Sequence, residues 1–359
     1  MNDNIKNLRI AYVKSSVYQD LWVCDITNDP IEIFKTTLVR CPPIGLASDF
    51  GADFIIVKDI DEYPCNVYKN CLSKDHCDHL KFSKNNKNLG LPFLDESYHN
   101  HVTIDSVAHN VDDIDWNKYH IVVCINTCIP ERILMKYKMV LWCYLSGEND
   151  AKYVSNLISR YDVVLNQDVF LGGSLPNFSI GFPYSFLGPF TIENMLHRMG
   201  IFYGNNISEK IGIYQEINNS TERPVTIAHP GFVDIGLKCN MPIILHSQNI
   251  VENITRIYRT KYFVKLFGRV IRGNGILEVI SAGTLILMNK NLIMFHDLIP
   301  DECHVESSQD VIKKIKYFEE NLGEYERLVL EQRHLLNTLY YEKPLSDLYK
   351  KFCEKSSIY

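Results

Sequence analysis

Arg272-Gly273-Asn274-Gly275-Ile276-Leu277-Glu278-Val279-Ile280-Ser281-Ala282-Gly283-Thr284-Leu285-Ile286 reads as a glycine turn, an asparagine cap, a two-turn helix, a glycine stop and the start of a buried strand. The strand runs on to Met288, and another apolar run, Tyr262 to Phe267, precedes the turn. Near-continuous apolar strands separated by helices are what a parallel sheet covered on both faces requires. The chain is therefore read as α/β.

The same alternation extends backwards from this stretch. Ile211-Gly212-Ile213-Tyr214, Val225-Thr226-Ile227-Ala228 and Met241-Pro242-Ile243-Ile244-Leu245 complete a second strand-helix series. An earlier series holds Leu8 to Val13, Asp53 to Val57, His120 to Ile125, Lys138 to Tyr144 and Asp162 to Asn166, with a helix-like stretch from Ile33 to Phe50 broken by Pro42-Pro43. Asp61 to Asp115 is polar and poorly periodic and is read as loops. Gly204-Asn205-Asn206 is the turn-rich joint between the two series.

Two Rossmann-like domains facing a cleft, with C-terminal helices, are the simplest account. The expected division is 1–205, 206–336 and a terminal helix over 337–359 that packs back on the first domain. Ser308 to Leu322 and Gly323 to Leu336 carry apolar residues at helical spacing, and Pro344 is expected to set off a last helix through Lys351.

A length of 359 residues exceeds what one core serves and fits two domains. The net charge of −6 disfavours nonspecific nucleic-acid binding by the whole surface and leaves room only for a local basic patch. No nucleic-acid partner is expected. The first thirty residues show neither a secretory signal nor a spanning segment, so a cytoplasmic location without a transmembrane segment is expected. Eleven cysteines, an odd number spread over apolar runs, fit reduced core thiols.

From Arg256 to Arg272 the chain holds Arg256, Arg259, Lys261, Lys265, Arg269 and Arg272 without one acidic residue. An anion nearby would explain that run. A helix starting at Gly275, at the mouth of a parallel sheet, offers free N–H groups and a partial positive charge suited to pyrophosphate, and Gly273 and Gly275 let the backbone approach it. Glu278, in the first turn, could reach past the phosphates to paired ribose hydroxyls. The bland alternative is a structural turn beside a solvated basic face.

Gly275 to Ile286 also resembles the E-A-x-A-x-G segment in the donor-binding domain of GT-B glycosyltransferases, with Glu278 at the position of the Glu that holds the donor's ribose. The likeness extends in pattern over roughly the last 150 residues, through Ser307-Ser308-Gln309-Asp310-Val311 at a helix start. It implies a nucleotide-sugar donor, a glycan or glycoconjugate acceptor, and no separate cofactor. The donor set is Lys265, Arg269, Arg272, Gly273, Asn274, Gly275 and Glu278. The chain departs from many retaining members at Val270, where they carry a further Glu, so the stereochemical outcome stays open.

Loss of a nucleoside diphosphate would be helped by cations and helix-terminal N–H groups without a metal. An inverting enzyme would also need a general base, for which Asp20 and Glu148, each after a first-domain strand, are the candidates. Cys65, Cys71, Cys77 and His79 have gaps too long for a compact zinc knuckle, and His99 with His101 lacks a third ligand. His229-Pro230-Gly231-Phe232 is either a substrate-touching loop or a structural turn. A sugar-nucleotide epimerase and a noncatalytic sugar-binding protein remain the alternatives.

Overall fold

In the computed structural model the described residues are 5, 7–15, 44–58, 109–125, 127–146, 159–166, 179–182, 186–201, 209–216, 228–247, 250–268, 275–293 and 295–358. They form two units. The first ends at Phe186 and resumes with Tyr340–Tyr359, and the second spans Leu187–Leu339.

Seven strands make the sheet of the first unit: β1 (Ile10–Ser15), β2 (Asp53–Lys58), β3 (His109–Asn110), β4 (Ile121–Ile125), β5 (Leu141–Ser146), β6 (Val163–Asn166) and β7 (Ser179–Gly181). All pair in parallel, in the order β3-β2-β1-β4-β5-β6-β7. That is the doubly wound order in which the chain starts at the centre and reverses between β1 and β4.

Alternation along each strand splits the core into two layers. Tyr12, Val123, Ile125, Cys143 and Leu165 face Leu46 and Ala47 of α1 (Ile44–Phe50), while Val13, Val122, Trp142 and Val164 face Trp116 and the Ile133 and Leu134 pair of α2 (Glu131–Lys136). With both faces covered, every residue of β4 is buried, which is why its sequence reads as an unbroken apolar run.

The second unit has α3 (Thr191–Arg198), β8 (Ile213–Gln215), α4 (Pro230–Cys239), β9 (Ile243–Ile244), α5 (Ile250–Arg259), β10 (Tyr262–Lys265), α6 (Gly275–Ser281) and β11 (Leu285–Met288). Two longer helices follow, α7 (Ser308–Glu320) and α8 (Leu322–Leu335). The strands are parallel in the order β11-β10-β8-β9. Gly283, at φ +70°, stops α6, and a Cβ there would stand 2.6 Å from the Arg333 guanidinium. Only glycine meets both demands.

Three details differ from the sequence expectation. The division falls at Phe186/Leu187 rather than after residue 205. Two bonds remote in sequence bind α3 to the second unit: a buried ion pair between Glu193 and Arg333 of α8, and a hydrogen bond from the Ile192 N–H to Ser281 Oγ at 3.0 Å. No local pattern reveals either.

Pro344 also does not set off a separate helix. A π-helical segment, Leu336–Glu342, runs directly into α9 (Lys343–Ser356), with Pro344 in the first turn of α9. The division places this helix with the first unit, and its Leu345 and Leu348 are buried in the α1 layer. Tyr341, just before it, stacks on Phe186 at 5.0 Å and donates to Asp49 at 2.7 Å. Finally, the expected strand 241–245 shrinks to β9, and 225–227 lies outside the described residues.

The described cysteines, Cys124, Cys128, Cys143, Cys239, Cys303 and Cys353, are free thiols. Burial pushes the Cys303 thiol up to about 12, in keeping with an unreactive core group. Among the described residues no helix is long and apolar enough to cross a membrane.

Candidate functional site

In the second sheet the connection from β8 through α4 leads one way, to β9, and the connection from β10 through α6 leads the other way, to β11. The chain therefore parts at the carboxyl ends of β8 and β10. In open α/β sheets that crevice is where ligands sit.

The pleat assigns its two walls. Tyr214 pairs in register with Phe263 and stacks on it at 5.4 Å, so both point to the α5 side, where the Tyr214 hydroxyl donates to Asn253 at 2.8 Å. Lys265, two residues beyond Phe263, shares that side. Gln215 and Tyr262 point the other way, toward α4 and α7, where Tyr262 donates to Glu319.

On the α4 wall, Gln215 is 3 % exposed and its Oε1 accepts the backbone N–H of His229 at 2.8 Å. His229 is the N-cap of α4. Its Nδ1 accepts from the Gly231 N–H at 3.2 Å, and Pro230 fills the first turn without wasting a donor. Ser308, at the start of α7, lies next to Gly231, with Oγ 3.8 Å from where a Cβ would be. The β11 chain end brings it there: after Met288 the backbone makes three tight turns and returns at His304, bridged in parallel to Met288. Ser307 then caps α7 reciprocally with Asp310.

On the α6 wall, Lys265 is fully buried, and its ammonium donates to the Phe267 carbonyl at 3.2 Å. A lysine with no exposure is not part of a solvated basic face. Phe267 reaches across the crevice, its ring 4.4 Å from that of His229 and 5.5 Å from Phe232. Gly275 opens α6, and Glu278 is 2 % exposed within it.

The basic run as a whole is not gathered for one anion. Arg256 pairs with Glu252 at 2.7 Å within α5, and Lys261 pairs with Glu319 of α7 at 2.8 Å. Arg269, Arg272, Gly273 and Asn274 lie outside the described residues, as do Asp20, Glu148, and the cysteine and histidine groups at 65–79 and 99–101. Of the expected donor set, Lys265, Gly275 and Glu278 are described. Gln215 and Phe267 were not expected. The only trace of Gln215 in the sequence is a polar residue closing an apolar strand.

No family model and no curated protein matches the sequence. Solved structures similar to the chain include the DNA-modifying enzyme beta-glucosyltransferase, studied with and without UDP-glucose, at 13% identity and TM-score 0.41 over 97% of this chain and 100% of that one. Others are Anabaena HepE with UDP and glucose, at 10% identity, TM-score 0.42 and coverage of 98% and 100%, and an alpha-glucosyltransferase with UDP-glucose and abasic DNA, at 10%, 0.45, and 96% and 99%. Superpositions this loose leave the argument to the residues of the second unit.

Proposed function

We propose that the chain is a glycosyltransferase whose second unit binds a nucleotide-diphosphate sugar and passes the sugar to a hydroxyl of a glycan or glycoconjugate. The observation that carries this reading is the crevice between β8 and β10. One wall holds a buried lysine and a buried glutamate, the other begins a helix, and an aromatic pair lies across it. Lys265 offsets the charge growing on the departing diphosphate, and Glu278 holds the ribose hydroxyls. Arg269, Arg272, Gly273, Asn274 and Gly275 complete the donor loop. Asp20 or Glu148 of the first unit takes the acceptor proton.

The transfer needs no metal in this scheme, so EDTA leaves the rate unchanged. Free thiols and a sugar-nucleotide substrate suit the cytoplasm, and the net charge of −6 favours a glycan over a polyanionic acceptor. Thermal melting against UDP-, GDP-, ADP- and CMP-sugars tests the donor site. One nucleotide should raise the melting point, by about 2.7 kcal/mol of stabilisation at a hundredfold excess over Kd. Glu278→Ala should abolish that shift. No shift with any donor refutes the reading, and interconversion of sugars without transfer would point to an epimerase instead.

A further inference from the structure

The second sheet ends at β9, which among the described residues pairs with β8 alone. The Pro242 carbonyl accepts the Ile213 N–H at 2.9 Å, so Pro242 and Ile244 turn their backbone groups toward β8, and Ile243 between them turns its own away. The N–H that Pro242 lacks therefore falls on the paired side and does not close the outer edge. On that edge the residues flanking Ile243 are already used: the Met241 N–H donates to the Gly236 carbonyl at 2.9 Å, and the Leu245 carbonyl accepts from Arg256 at 2.8 Å. The Ile243 N–H and C=O have no hydrogen-bond partner among the described residues. An open edge of this kind is a template for another strand, and proteins commonly blunt it with charge.

Here the edge is apolar instead. No Asp, Glu, Lys or Arg occurs from Cys239 to Ser247. Gly236 lies against the Met241 carbonyl and the Ile243 side chain, which seats the end of α4 on β9. Val233 and Leu237, one turn apart on that helix, are 41% and 77% exposed. The charges that flank the patch come in pairs of opposite sign, Asp234 with Lys238 at 2.8 Å on α4 and Glu252 with Arg256 at 2.7 Å on α5. A rim balanced in this way gives a polyanion nothing to bind and does not repel its own copy.

We propose that this edge is a two-fold interface between two copies of the chain, with the axis passing between their Ile243 residues. In an antiparallel hydrogen-bonded pair, two facing residues exchange both N–H···O bonds, so one open residue is fully satisfied by the same residue of a second copy. A two-fold axis imposes that antiparallel direction, and the pairing joins two four-stranded sheets edge to edge. Val233 and Leu237 supply the apolar area beside the axis, and the opposite-sign pairs form its polar rim. None of the crevice residues takes part, so the interface stands or falls apart from the donor-site reading.

The test is sedimentation equilibrium of the full chain over roughly 1–100 μM, the range in which a micromolar dimer dissociates, for wild type, Leu237→Asp, Ile243→Pro and Leu330→Asp. Leu237→Asp puts an unpaired charge into the patch from an exposed position, so the fold is retained. Ile243→Pro removes the N–H offered to the second copy, and melting curves show whether each variant is folded. Leu330, 63% exposed on α8, is the control for adding an acid elsewhere on the same unit. Wild type and Leu330→Asp should reach twice the chain mass, with the dissociation constant raised about tenfold or more in Leu237→Asp and in Ile243→Pro. A wild type that stays monomeric throughout overturns the assignment. So does a dimer whose affinity is unchanged in either folded variant, or one that Leu330→Asp weakens equally.

Discussion

Lys210 makes the second unit's stability depend on pH in an unusual direction. Its ammonium is largely buried and donates to the carbonyls of Tyr258 and Ala282, the latter at 3.0 Å, and it lies 4.8 Å over the Tyr258 ring. Burial, with the Arg333 guanidinium nearby, pulls it from 10.5 down to about 7, and Glu193 offsets this only in part. Below pH 7 the folded and unfolded chains both hold the proton. Between 7 and 10.5 the unfolded chain holds it and the folded chain has shed it, so stability rises with pH.

At pH 8.5, one and a half units above the folded value, the gain over pH 6.5 is about 2 kcal/mol. For a unit of roughly 150 residues that is about 4–8 °C in Tm. The neutral amine keeps two N–H groups, one for each carbonyl, so shedding the proton breaks neither bond. Differential scanning calorimetry of wild type and Lys210→Met at both pH values reads the effect. Buried thiols such as Cys303 titrate identically in both proteins and cancel in the difference. The wild-type advantage should grow by about 2 kcal/mol from pH 6.5 to 8.5; parallel pH profiles would show that Lys210 stays charged in the fold.

Glu193→Ala strands Arg333 in the interior and should cost about 3–5 kcal/mol, read by urea unfolding, with the Arg333→Met/Glu193→Leu double variant recovering most of it. Leu348→Ala opens a cavity in the α1 layer and should cost the first unit about 2–5 kcal/mol, while nucleotide affinity in the second unit is unchanged. Asp20→Asn or Glu148→Gln should abolish transfer to acceptor and leave donor-induced thermal stabilisation intact. Loss of both activities would place that residue in the donor site instead.

The parallel sheets were legible because burial on both faces writes unbroken apolar runs such as Ile121–Ile125 and Leu285–Met288 into the chain. The α6 turn was legible from Gly275 and Gly283, whose backbone roles are local. What sequence could not give were pairings across distance. Glu193 meets Arg333 across 140 positions, and Tyr341 meets Asp49 across 292, so neither the place of α3 nor the return of α9 leaves a local trace. For two residues of the basic run the reason is the same: the acids that pair with Arg256 and Lys261 come from the start of α5 and from α7, outside the run itself. In the site, Glu278 and Lys265 stood out by residue type, whereas Gln215 matters only through the bond that fixes its amide.

The return of α9 to the first sheet has a consequence for how the protein is made. Leu345 and Leu348 belong to a core whose other members, among the described residues, all precede Leu187. At ordinary synthesis rates those two leucines follow Phe186 by roughly ten to thirty seconds. For that interval the first unit has all its described strands and an open apolar seam on one face, while the second unit is being made. The part of the chain made first is thus the part completed last, and its exposed seam is where a holding chaperone would bind.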